Sequence, residues 1–108
     1  MTREEYNEQF LIGLADKKQT GNISDEIKIL LYQFIREVSN SSRYAFLNED
    51  MKYICVILAY EACMEHIWKF NAEKSDNAYS YISVIIRSSF AGTLGKLKNN
   101  EIAIENYV

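Results

Sequence analysis

Apolar positions recur at helical spacing in four stretches of this chain, with short polar segments between them. In the second stretch Ile27, Leu30, Leu31, Phe34, Ile35 and Val38 fall three or four residues apart, which puts them on one face of a helix. Ser24, followed by Asp25 and Glu26, supplies a cap and an acidic first turn, so this helix is predicted to begin after Ser24 and to stop near Ser39–Ser42. The first stretch predicts a helix over Arg3 to Lys17, with Phe10, Leu11 and Leu14 on its apolar side and a polar loop after it. Asn48 or Asp50 opens a third helix reaching Phe70; Asp76 or Asn77 opens a fourth reaching Lys98. There is no proline and there are only four glycines, which favours long helices. The expected fold class is all-α, a compact bundle of about four helices. Residues 1–22 form an N-terminal helix and loop, 23–98 the helical domain, and 99–108 a tail whose alternation reads either as a frayed helix end or as a flexible terminus.

The third helix breaks the amphipathic pattern, because Ile54, Cys55, Val56, Ile57, Leu58 and Ala59 follow one another without a charge. If Cys55, Val56, Ala59, Cys63, Ile67 and Phe70 make the core stripe, then Ile54, Ile57, Leu58, Glu61 and Glu65 make the opposite one. Either the first helix folds back over the apolar part of that second stripe, or a partner covers it.

Composition narrows the chemistry. At 108 residues, 48% of them hydrophobic, the chain suits one core, and its net charge of -3 gives no bulk attraction to polyanions. Any nucleic-acid contact must therefore be local, and the fourth helix, with no acidic residue through Lys98, is where one could form. Cys55 and Cys63 lie about 12 Å apart by helix rise, too far for a disulfide, and read as core thiols. His66 follows Cys63 by three residues, but nothing completes a four-ligand zinc set. A single histidine, no serine elbow and no glycine-rich phosphate loop leave nucleophilic catalysis without a foothold, and a solvated helix face accounts for Glu61 and Glu65. No catalytic residue, metal or cofactor is assigned. The longest apolar run, Tyr53 to Tyr60, falls far short of the ~20 residues that span a bilayer, so no membrane partner is expected.

The helix end EACMEHIWKF, the turn NAEKSDN and the helix start AYSYISVIIRSSF, together with SDEIKILLYQFIREVSNSSRYAF upstream, resemble region two of the bacterial RNA polymerase sigma factors. The nearest likeness is to the late-gene sigma factors of T4-like tailed phages, and it covers Ile23 to Lys98. The resemblance implies a non-enzymatic protein that binds bacterial core RNA polymerase, through the coiled coil of its largest subunit, and the non-template single strand of the minus-ten promoter element. It implies the cytoplasm of an infected bacterial host as the location. By the same resemblance Tyr81 stacks on the flipped adenine, Ser80 and Ser83 lie beside it, and Arg87 faces the upstream DNA backbone. Tyr79, Ser88 and Lys96 complete the expected DNA-binding set, and Ile54, Ile57, Leu58, Glu61 and Glu65 the polymerase-binding set. Val84 and Ile85 stand where housekeeping members carry a tryptophan pair, and Ser88 where they carry a glutamine; the phage late factors also lack the pair. The alternative for Tyr81 is a half-buried helix residue. Two other readings remain open: a sigma-like decoy or adaptor that binds polymerase without reading DNA, and an unrelated helical module whose third helix makes a homodimer.

Overall fold

The computed structural model describes residues 1–99; the tail assigned to 99–108 lies outside the described residues but for Asn99. Four helices carry the described residues: α1 (Arg3–Thr20), α2 (Asp25–Ser39), α3 (Glu49–His66) and α4 (Ala78–Lys98). Two single 3₁₀ turns, Ser42–Tyr44 and Ile67–Lys69, sit in the connections, and no strand occurs among the described residues. The architecture is an all-α bundle.

Each helix begins where a short polar side chain can take an unpaired N–H. Ser24 Oγ accepts from Ile27 N, Asn48 Oδ1 from Met51 N and Asn77 Oδ1 from Ser80 N. Thr2 and Glu5 form a reciprocal capping box at α1. The helix α1 runs three residues past the expected Lys17, since Lys and Gln propagate a helix and the stop comes at Gly21. There the backbone turns left-handed at φ 80°, and its N–H closes on the Lys17 carbonyl. At the other extreme α3 ends four residues before the expected Phe70, tightening into the 3₁₀ turn at Ile67–Lys69.

The central packing is the α3–α4 antiparallel pair, with α2 laid on the other flank of α3. Cys55, Val56, Ala59 and Cys63 meet the buried Ile82, Ile86 and Phe90 of α4 within one core. Burial pushes the Cys55 thiol up to about 11 and the Cys63 thiol up to about 12, so both stay protonated near neutral pH. Tyr44 is tucked in from the first 3₁₀ turn, its ring edge-on to Phe90 at 4.9 Å.

The placement of α1 corrects one of the two expectations for α3. It packs chiefly on α4, α2 and the Ile67–Lys69 turn, and not as a cover over α3. Its Tyr6 and Phe10 join Phe34 and Tyr79 in an aromatic cluster, with centroids 4.9 Å apart for Phe34–Tyr79 and 4.8 Å for Tyr6–Phe34. Tyr6 and Phe10 of α1 thus share one core with the other helices.

The approach of α1 to α2 depends on Gly13. A Cβ there would stand 2.6 Å from Cγ1 and 2.8 Å from Cδ1 of Ile27. Alanine should gain about 1 kcal/mol of helix propensity, but overpacking of this kind costs about 1–3 kcal/mol. Gly13→Ala is therefore expected to lower the melting temperature by a few degrees, and in an Ile27→Ala background, where the obstruction is gone, the same change should raise it. A thermal-melting double-mutant cycle measures the sign reversal.

Candidate nucleic-acid interface

The start of α4 is built by a residue from far upstream. Asn7 of α1 donates from Nδ2 to the Asp76 carbonyl at 2.9 Å, and its Oδ1 accepts from the Tyr79 N–H at 2.9 Å. With Asn77 Oδ1 on the Ser80 N–H at 3.0 Å and the Asn77 carbonyl on the Tyr81 N–H at 3.3 Å, the second to fourth amides of α4 are all taken by protein groups. This helix end is not open to bind an anion by its backbone.

The side chains of the same turn face two grooves. One contains Tyr79, Ser80, Ser83 and Arg87 together with Arg3 of α1 and Arg43 of the first 3₁₀ turn. Tyr79 is half-buried: its ring packs on Phe34, and the Arg3 guanidinium stands over it at 4.9 Å from the centroid. Arg3 Nη2 also donates to Ser80 Oγ at 3.1 Å. Ser83 Oγ donates back to the Tyr79 carbonyl at 2.8 Å, which leaves its lone pairs as acceptors only. Glu37 is the carboxylate of this groove, and the buried Tyr6 hydroxyl donates to its Oε2 at 2.7 Å. Burial, reinforced by that carboxylate, holds the Tyr6 hydroxyl well above its ordinary pKa. Three guanidiniums against one carboxylate leave the groove two charges positive. Among the described residues no ion pair uses Arg3, Arg43 or Arg87.

The second groove opens on the other side of Ser80 and contains Tyr81, Phe70, Val84, Ile85 and Lys74. Tyr81 is half-buried, its ring against Phe70 at 5.3 Å, and its hydroxyl donates to the His66 carbonyl at 2.9 Å. That carbonyl stands where α3 passes into the 3₁₀ turn, so the hydroxyl ties the first turn of α4 to the end of α3. Neither tyrosine is freely exposed. Val84, at 55% exposure, is the apolar side chain that the groove leaves in water. Ser88 and Lys96 are exposed farther along α4 and line neither groove.

The expected polymerase-binding stripe divides. Ile54 is fully buried and offers no side chain to a partner, because α2 and α4 together enclose more of α3 than one core stripe. Ile57 and Leu58 are half-buried, while Glu61 and Glu65 are exposed, Glu65 lying 4.0 Å from His66 Nε2. Tyr53, 47% exposed, and Tyr60, edge-on to Tyr32 at 6.2 Å, continue the Ile57 side of the helix at helical spacing.

The sequence reading missed Arg3, Arg43 and Asn7, each far from α4 along the chain. Arg3 did carry a signal: a cation in the first turn opposes the helix dipole and needs a reason to be there.

Comparison with models of known protein families, with curated proteins and with solved structures gives no match in any of the three.

Asn7→Ala removes both bonds and leaves the partly buried Tyr79 N–H without an acceptor, a change worth about 1–3 kcal/mol. Hydrogen exchange should quicken at Tyr79 while the Ser80 amide, capped by Asn77, keeps its protection. Unchanged exchange at Tyr79 would mean that α1 does not hold the start of α4.

Proposed function

We propose that the chain is a minimal sigma-type factor, resembling region two of the late-gene sigma factors of T4-like tailed phages, that binds bacterial core RNA polymerase and the non-template strand of the minus-ten element. One surface supports this reading: the acid-free helix α4 with the positive groove of Arg3, Arg43 and Arg87 on one side of Ser80 and the aromatic groove of Phe70 and Tyr81 on the other. A strand lying across Ser80 has guanidiniums for its phosphates and ring faces for its bases, the two kinds of contact that single strands need.

Within this reading Tyr81 both holds the end of α3 by its hydroxyl and lends its ring to the groove. The polymerase face centres on Ile57 and Glu61, with Leu58 and Glu65 to one side and Tyr53 and Tyr60 to the other, and it omits the buried Ile54. The decoy reading draws on that same tyrosine-flanked face, which suits a protein partner whether or not DNA is read.

The test is retention of the chain by core polymerase followed by open-complex formation on AT-rich promoters. Arg3→Gln with Arg87→Gln should lower open-complex formation by tenfold or more, on the order of 1.4 kcal/mol per tenfold, and leave polymerase retention intact. Tyr81→Phe keeps the ring and should retain most activity, with about 1 kcal/mol less stability from the lost hydrogen bond. Retention without open complexes selects the decoy; no retention selects an unrelated module.

A further inference from the structure

The groove of Phe70 and Tyr81 does not end at Phe70. Phe70 and Asn71 also line a third groove, between the last turns of α1 and the Ile67–Lys69 turn, whose floor and walls include Leu14, Lys17, Lys18, Trp68 and Lys69. Trp68 is 57% exposed, so most of the largest apolar side chain in the protein gains nothing from burial. Two ammonium groups stand by its ring, Lys17 Nζ at 5.4 Å and Lys69 Nζ at 5.6 Å from the centroid. The groove's carboxylate, Glu73, is matched by Lys18 at 3.8 Å. Three lysines against one glutamate leave two positive charges around an exposed indole, in a chain whose net charge is -3.

We infer that Trp68, with Lys17 and Lys69, is a nucleobase-stacking station that extends the single-strand path beyond the Phe70–Tyr81 groove. The indole face takes an unpaired base, and the two flexible ammonium groups swing from the ring to the flanking phosphates. An acidic or apolar protein partner fits less well: the site offers one large flat ring with cations on it, in place of a broad apolar patch. Arg3 and Lys17 lie fourteen positions apart on α1, about 21 Å by helix rise. That span corresponds to about six nucleotides at the ~3.4 Å rise of a stacked strand, so one short strand reaches from the arginine groove to the indole.

This inference rests on the proposed strand-binding reading, but its test is independent of polymerase. Trp68 is the chain's one tryptophan, so its fluorescence reports the station alone. Titrated at low salt with a thymidylate oligomer of about twelve nucleotides, within the usual range of single-strand sites, the protein should show quenched emission. Lys17→Gln with Lys69→Gln should weaken that quenching several-fold. Trp68→Leu, at an exposed position, should keep the fold and lose about tenfold in affinity by anisotropy of a labelled strand, the order of one stacked base. Strand binding by anisotropy with unchanged emission would overturn the station and leave the proposed function standing. Equal quenching by a duplex of the same length, or by polyglutamate, would show a general anion patch and also overturn it. No binding of any strand would do the same, with open-complex formation still deciding the promoter role.

Discussion

The surface of α4 depends on one side chain that is not part of it. Asn7 spans from the Asp76 carbonyl to the Tyr79 N–H, and so joins the first helix to the start of the last. Once that bridge is made, Tyr79 is set against Phe34 and beneath Arg3, and Arg3 comes within reach of Ser80. The amide of Asn7 is suited to this because it has a donor and an acceptor side by side, and the two helix-end groups it meets are one of each. Without it, α1 would still bring Tyr6 and Phe10 to the core, but the apolar contact alone would not fix the register between Arg3 and α4.

The second constraint is electrostatic. An acidic protein that meets a polyanion has to gather its cations on one side and keep carboxylates away from them. The twenty-one residues of α4 carry arginine and lysine but no acid; the groove along its first turns borrows Arg3 from α1 and Arg43 from the first 3₁₀ turn, and the separate indole groove takes Lys17 and Lys18 from α1 and Lys69 from the second. The carboxylates that line these grooves are engaged: Glu37 accepts from the Tyr6 hydroxyl and Glu73 pairs with Lys18. On the proposed function, this local excess is enough to hold a strand that polymerase delivers, and too little to bind duplex tightly without it.

What the sequence made legible was local. Ser24 marked one helix start, and the pairs Asn48 or Asp50 and Asp76 or Asn77 marked two more to within two residues, because a cap needs only its own side chain and the next three residues; Asn48 and Asn77 are the ones that cap. The core stripe of α3 was legible for the same reason, since helical spacing fixes which side chains share a face. The position of α1 was not. Phe10, Leu11 and Leu14 show that the helix has an apolar side, but several grooves of a bundle accept such a side, and the choice rests on the close approach of Gly13 to Ile27 and on Asn7 reaching Asp76. Ile54 was misjudged on the same account, because a helix flanked by two others buries a wider arc than a single stripe suggests. The arginine groove is assembled from Arg3, Arg43 and Arg87, which only the tertiary fold brings together.

On the proposed function a single strand runs along the three connected grooves, and backbone amide shifts of the labelled protein, followed as a short single-stranded oligonucleotide is added, trace its path. Perturbations should follow one line, from Arg3 and Arg87 through Ser80 and Tyr81 to Phe70 and Trp68, with the α2–α3 face at Tyr32 and Tyr53 unmoved. Shifts confined to that α2–α3 face, or scattered without a path, would contradict it.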